Sequence, residues 1–312
     1  MSKQNTSNLL MIRPVAFAMN AETAQDNHYQ DQNTGISRPD AQQAALAEFD
    51  GFVEKLSAAG VNVTIIEDTP EPFTPDSIFP NNWVSFHATG MVVLYPMYAE
   101  NRRTERREDI LETLSSSGFK LTETLDYSPF ENEGLILEGT GSLVLDRENL
   151  IAYACLSHRT NDVILNDWAK QLGYTVVSFH AIQEVGGQFL PIYHTNVMMS
   201  VGQEIAILCA DSIRDESERG AVISSLQKTG KEIVFISEDQ TNQFAGNMLQ
   251  IVSGAGEKLM VMSTQAYESL TEQQIETIEK TNRILHSSLN TIETLGGGSA
   301  RCMMAEVFLP QG

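Results

Sequence analysis

Cysteine is scarce in this chain. Its three (Cys155, Cys209 and Cys302 in 312 residues) are too few and too scattered for a disulfide framework or a zinc finger. Long apolar runs are lacking too, since none approaches the roughly 18 to 20 residues that span a bilayer. The N-terminal MSKQNTSNLLMIRP has only a short apolar stretch and no small-residue cleavage site. No secretory signal is therefore expected, and the sequence reads as cytoplasmic. Basic residues are few: 20 Lys and Arg against 41 Asp and Glu, a formal net charge of −21. Such a surface repels phosphate backbones, so neither nucleic acid nor a membrane is expected as a partner. The sequence also lacks a G-x-S-x-G elbow, a P-loop and an H-E-x-x-H helix.

What is present is a repeat. A short polar-to-apolar step occurs five times, as Asn82-Trp83-Val84, Gly141-Ser142-Leu143, Asn196-Val197-Met198, Asn247-Met248-Leu249 and Cys302-Met303-Met304, at intervals of 59, 55, 51 and 55 residues. A fixed period signals one supersecondary unit used repeatedly. After each of the first four steps comes an apolar strand, a turn (87–90, 146–149, 201–204 and 253–256) and a second strand such as MVVLYPM (91–97) or EIAILCA (204–210). Helices are expected over 41–59, 101–118, 162–172, 212–230 and 264–283. Each leads to a further strand, at 61–67, 119–125, 174–180, 232–238 and 283–289. The expected architecture is α/β, with five ββαβ modules in pseudo-fivefold order and one domain over 1–312. The leftover N-terminal strand is expected to pair with 303–309 and close a ring, which would remove most exposed sheet edges. The polar stretch 20–40 is expected to be irregular and to lie over the central channel.

Around such an axis the five steps would converge, and the fifth carries Cys302 after the glycines of GGGSARC (296–302). A lone cysteine is usually a small buried hydrophobe, which is the reading for Cys155 and Cys209. The glycine loop and the convergent position instead make Cys302 a candidate nucleophile, which acts as thiolate and needs a nearby base. His194, two residues before the third step, is the candidate base. Glu138, between apolar residues and just before the second step, could orient an imidazole or hold a substrate N–H group. Asp76 opens the approach to the first step, with a turn or cap residue as the alternative reading.

These residues resemble the guanidine-modifying superfamily built on the five-bladed α/β propeller, the pentein fold. Its members include arginine deiminases, dimethylarginine hydrolases and amidinotransferases. The resemblance covers essentially the whole chain and rests on PDSIFPNN (75–82), NRR (101–103), EGTGSLVLDR (138–147), LSHRTN (156–161) and the terminal cysteine after its glycine loop. It is nearest to the arginine-deiminase-related branch that includes citrulline-utilisation hydrolases. The resemblance implies Cys302 as nucleophile, His194 as general acid/base and Glu138 on the substrate nitrogens and His194. It further implies Arg103 or Arg102, together with Arg159, on the α-carboxylate, and neither metal nor organic cofactor. The implied partner is a small amino acid, citrulline or arginine-like. A homodimer stays open.

The sequence departs from that family where the pattern carries aspartates on the guanidinium: here those positions are Asn82 and Asn196. A guanidinium only donates hydrogen bonds, whereas a ureido group also accepts, and an amide side chain can serve both. The expected activity is therefore hydrolysis of citrulline to ornithine, ammonia and carbon dioxide through a covalent Cys302 adduct. Arginine deimination or dimethylarginine hydrolysis is the alternative. An amidinotransferase and a non-catalytic binding protein on the same fold are the further readings.

Overall fold

The computed structural model describes residues 3–25, 27–31 and 34–312. Strand β1 (Asn8–Arg13) leads through helix α1 (Arg38–Ala58) to β2 (Asn62–Glu67), which lies parallel to β1. Helix α1 starts where the Ser37 side chain accepts from the Asp40 N–H with Pro39 in the first turn, and it buries Ala45, Phe49, Phe52 and Leu56.

Four further sheets repeat one topology, in which two short antiparallel strands are followed by a helical crossover to a third, parallel strand. The first has β3 (Val84–Phe86), β4 (Met91–Leu94), α2 (Glu108–Ser116) and β5 (Glu123–Asp126). After a single helical turn, α3 (Gly139–Ser142), come β6 (Val144–Asp146), β7 (Ile151–Cys155), α4 (Asp162–Leu172) and β8 (Thr175–Phe179). A small hairpin, β9 (Ile182–Val185) and β10 (Gln188–Pro191), precedes β11 (Met199–Val201), β12 (Ile205–Leu208), α5 (Glu216–Lys228) and β13 (Glu232–Phe235). The last consists of α6 (Glu238–Asn242), β14 (Leu249–Val252), β15 (Lys258–Ser263), α7 (Thr264–Ser269), α8 (Glu272–Glu279) and β16 (Arg283–Ser287). Helix α9 (Asn290–Gly296) leads to β17 (Ala305–Glu306), which pairs antiparallel with β1 through Leu9↔Glu306 and Leu10↔Ala305. The terminal pairing expected from the sequence is thus present, and it gives β17, β1 and β2 the same order as the other four sheets.

The strand beginning just past each step is buried along almost its whole length, whereas the third strands β5, β8 and β13 are largely exposed. These buried strands contact one another, β6 with β11, β11 with β14 and β17 with β3.

Three expected helices are shorter than their periodicity suggested. The one over 101–118 opens as a 3₁₀ turn (100–105), and α2 begins only after Arg106 and Arg107, which are extended. Arg106 reaches back to the Tyr95 carbonyl and Glu131, and Arg107 to Asp109 and the Glu67 carbonyl, which pulls this basic run out of helical geometry. The segment 264–283 is two helices, because Thr271 and Gln274 form a reciprocal capping box that starts the second. Helix α5 starts at its Asp215 cap rather than at 212. The expected strand 119–125 lies at 123–126, with Phe119 bridging to Gln311 instead. Among the described residues no helix is long and apolar enough to cross a membrane.

Candidate active site

The turns that carry the steps are tied to one another in sequence order. Thr140 Oγ1 donates to the Asn81 carbonyl (3.3 Å), and Thr195 Oγ1 donates to the Ser142 carbonyl (2.5 Å). Asn247 Nδ2 donates to the Asn196 carbonyl (3.0 Å), and the Arg301 N–H donates to Asn247 Oδ1 (3.1 Å). Glycine permits a close approach at the second step. Gly139 has φ +45°, and a Cβ there would lie 2.4 Å from the Asn81 carbonyl oxygen. A Cβ on Gly141 would lie 2.4 Å from Asn82 Nδ2 and 2.9 Å from the His194 ring.

This packing brings Asn82, Asn196, Asn247 and Cys302, the first residues of four steps, to one cavity, whose wall also includes Asp76, Arg102, Arg159 and His194. Its volume is about 20 Å³, close to the space one water needs. A substrate the size of an amino acid therefore enters only if part of the wall moves. Thr23 and Asn27 form part of that wall. Asn20 and Thr23 donate to Asp76 Oδ2 (2.8 and 3.1 Å), and the side chains of Asn27 and Gln30 donate to carbonyls of Gly296 and Gly297. The stretch expected to be irregular over 20–40 thus covers the cavity with a 3₁₀ turn at 23–25, and its C-terminal end, from Arg38, already belongs to α1. Residues 26, 32 and 33 lie outside the described residues.

Cys302 is buried, its N–H on the Ser299 carbonyl at the end of the glycine loop. Its Sγ meets two amide donors, Asn247 Nδ2 at 3.3 Å and Asn196 Nδ2 at 3.5 Å. His194 Nε2 lies 2.7 Å from Glu138 Oε2, which also faces Arg159 Nη1 at 3.4 Å, while Glu138 Oε1 accepts from the Tyr98 N–H (2.9 Å). Burial pushes the Glu138 carboxyl up, but Arg159 and the His194 hydrogen bond outweigh it and hold the group well below the carboxylate range. An ionised carboxylate only accepts, so Nε2 carries the proton and Nδ1 is the basic atom of the neutral ring. Burial holds that ring's pKa below its ordinary 6.5 despite Glu138, so the imidazole is neutral and able to take a proton at pH 7.

Arg159 is buried, with its guanidinium 4.8 Å from the centre of the Tyr193 ring. Arg102 and Arg103 part company. Arg102 lines the cavity, but its fork is bound to both oxygens of Glu105 (2.9 Å each), to Asn82 Oδ1 (2.8 Å) and to the Phe79 carbonyl (3.1 Å). Arg103 is not in the wall. Its Nε donates to the Met97 carbonyl (3.1 Å) and faces Glu131 at 3.5 Å, so its expected place on a substrate carboxylate is not where the structure puts it. Glu138 is likewise outside the cavity wall and meets the site through His194 and Arg159.

Three polar atoms of wall residues are buried with no hydrogen-bond partner among the described residues: Asp76 Oδ1, Asn82 Nδ2 and Asn196 Oδ1. Each such atom costs about 1–3 kcal/mol, and three on one cavity mark a place built for a polar ligand. Burial pushes the Asp76 carboxyl up, against Arg102 and the bonds from Asn20 and Thr23. Among the described residues no cluster of three or more His, Cys, Asp or Glu side chains is placed to hold a metal ion. The sequence reading missed Asn247, although its recurrence as the head of the fourth step was a usable signal. It also missed Asn20, Thr23 and Tyr98, for which the sequence carries no signal.

A family model described as N,N dimethylarginine dimethylhydrolase, eukaryotic, matches residues 13–309. No curated protein matches the sequence significantly. Among solved structures, ArgZ, an arginine dihydrolase from the ornithine-ammonia cycle in Cyanobacteria, superposes with a TM-score of 0.73 at 17% identity, over 98% of this chain and 41% of that one. This chain therefore spans well under half of full-length ArgZ. The separate N-terminal domain of ArgZ, bound to substrate, gives a TM-score of 0.71 at 17% identity over 97% of this chain and 99% of that one. A dimethylarginine dimethylaminohydrolase captured as an adduct with S-methyl-L-thiocitrulline gives 0.63 at 14% identity over 98% and 100%. At these identities the likeness is one of α/β fold.

Proposed function

The chain belongs to the N,N dimethylarginine dimethylhydrolase family, and from that membership we propose that it is a cysteine-dependent hydrolase of C–N bonds in a guanidino or ureido amino acid, with citrulline the preferred substrate. In the same reading the chain is one domain, its five sheets are the blades of a propeller sealed where β1 meets β17, and the steps surround the axis. Cys302 Sγ attacks the ureido carbon, and the thiol proton, carried by His194, leaves with the nitrogen as ammonia. Water, deprotonated by His194, then attacks the thiocarbamate carbon and expels the thiolate. The carbamic acid so formed loses carbon dioxide and leaves ornithine. With a guanidino substrate the same first step gives a thiouronium adduct, and its hydrolysis yields the ureido amino acid. Arg159 and Asp76 are suited to the α-carboxylate and an N–H-bearing cation respectively.

The preference for a ureido group rests on the orientation of two asparagines. Arg102 can only donate, so Asn82 turns its oxygen to Arg102 and offers Nδ2 to the cavity. Asn196 gives its Nδ2 to Cys302 and offers Oδ1. One donor and one acceptor on the cavity wall that holds the sulfur complement the C=O and NH₂ of a ureido group. A guanidinium leaves the Asn82 donor unpaired, at a cost of about 1–3 kcal/mol, on the order of a 10- to 100-fold preference. Asp76 favours the second reading, a guanidino substrate such as arginine. The fold relative ArgZ is an arginine dihydrolase, and an enzyme acting on both groups would take arginine through citrulline to ornithine.

Release of ammonia and ornithine from citrulline, arginine and N-methylated arginines tests the reading. Citrulline is expected to be turned over with equal amounts of ornithine and ammonia. Replacing both Asn82→Asp and Asn196→Asp is expected to raise the arginine-to-citrulline ratio of kcat/KM about tenfold or more. Turnover confined to methylated arginines, or a ratio unmoved by the double replacement, contradicts it.

A further inference from the structure

We propose that Asn247 is a catalytic residue whose amide N–H stabilises and aims the Cys302 thiolate. This rests on Cys302 being the nucleophile. The fourth recurring step is the one for which the mechanism above finds no task, yet its first side chain touches the reacting atom, with Nδ2 3.3 Å from Sγ. The orientation of this amide is fixed. The backbone N–H of Arg301 can only donate, and it does so to Asn247 Oδ1 at 3.1 Å, which turns Nδ2 toward Sγ and the Asn196 carbonyl. Because the Arg301 N–H belongs to the residue preceding Cys302, one amide side chain holds the backbone of the nucleophile's turn and solvates its sulfur. Gly246 holds the side chain's own backbone in place, since a Cβ there would lie 2.2 Å from the Val197 carbonyl oxygen.

The usual activator of a cysteine nucleophile is an imidazolium beside it. Here His194 Nε2 donates a hydrogen bond to Glu138, and Sγ meets the amide nitrogens of Asn247 and Asn196 at 3.3 and 3.5 Å, with Asn247 Oδ1 farther off at 3.7 Å. Amide donors favour the thiolate over the thiol without themselves titrating, because hydrogen bonds to a charged acceptor are the stronger ones. They also leave the neutral imidazole free to move protons. Among the described residues, the charged and titratable groups around the sulfur are His194, Tyr193, Arg102, Arg159 and Asp76 in the cavity wall and Arg301 next in the chain, itself paired with Glu306 at 3.0 Å.

The test is alkylation of the intact protein by iodoacetamide from neutral to alkaline pH, read peptide by peptide so that Cys155 and Cys209 serve as internal references. Asn247→Ala is expected to slow Cys302 alkylation at neutral pH about tenfold and to move its pH profile to the alkaline side. Asn247→Asp, of nearly the same shape, is expected to move it further, because it places a carboxylate where the donor stood. A purely structural role would lower the thermal midpoint and leave the profile in place, so superimposable Cys302 profiles in folded variants overturn the proposal. Failure of the nucleophile assignment is distinguishable: Cys302→Ser would then retain turnover, whatever alkylation shows.

Discussion

Cys302→Ser is expected to lower turnover of every substrate by about 10³-fold or more while leaving the thermal midpoint within a few degrees of the parent. The substitution is nearly isosteric, and the residue lies in a buried loop whose hydrogen bonds are made by the backbone and by Ser299. What it removes is the sulfur nucleophile. A serine hydroxyl ionises only far above neutral pH, and the neighbouring asparagine amides cannot take its proton. His194 would have to take the hydroxyl proton at Nδ1, and a serine hydroxyl gives up its proton far less readily than a thiol. Steady-state assays with a parallel thermal melt check this. Residual activity within tenfold of the parent would remove Cys302 from the chemistry.

Glu138→Gln is expected to have the second-largest effect, a loss in kcat of about 10²- to 10⁴-fold. A destabilisation of about 3–5 kcal/mol should accompany it, because it breaks a buried charge pair. Glutamine keeps the shape but brings an NH₂ against Arg159, His194 or the Tyr98 N–H, all donors toward this carboxylate. The pH behaviour separates this effect from simple misfolding. In the parent, the neutral ring persists to below pH 6.5, the ordinary imidazole value, because burial lowers the pKa of His194 against the pull of Glu138. Removing that pull lowers the ring's pKa further, so the acidic limb of the kcat profile should move to lower pH. An acidic limb that moves to higher pH would contradict the pairing.

Stability follows the same linkage. The Glu138 carboxyl is held below its unfolded value, so its contribution is full above that value and is lost as pH falls through the folded one. His194, also lowered, takes its proton first in the unfolded chain, which adds to destabilisation as pH drops below 6.5. Below the carboxylate range the parent should therefore lose more stability than Glu138→Gln. Between that range and pH 6.5 only His194 of the two titrates, and there the variant with its further-lowered ring should lose at least as much.

The parts of this molecule legible from its sequence are those fixed by local pattern. The bounds of α4 (162–172) could be read because Asn161 caps one end and Gly173 closes the other in a left-handed conformation. The β9–β10 hairpin went unread although Gly186-Gly187, both with positive φ, is a strong two-residue turn signal. The break between α7 and α8 was likewise written in Thr271 and Gln274, and a continuous amphipathic pattern masked it. At the site, recurrence picked out Asn82, Asn196 and Cys302, and the structure brings them to one cavity together with Asp76, Arg159 and His194. The sequence could not divide the work between Arg102 and Arg103, because that depends on Glu105 and Asn82 capturing one fork while Met97 and Glu131 hold the other. Nor could it orient an asparagine, since which amide atom faces the cavity is settled by partners distant in the chain.

The central claim is that the sulfur of Cys302 bonds covalently to the ureido or guanidino carbon. Intact mass measurement of the protein acid-quenched during turnover of citrulline or arginine, labelled with ¹³C at that carbon, followed by peptide mapping, tests it most directly. The expected result is a label-bearing adduct confined to the peptide that contains Cys302 and missing from Cys302→Ser. Product formation with the label on Cys155 or Cys209, or with no protein-bound label in single-turnover quenches from the earliest times onward, would contradict the account.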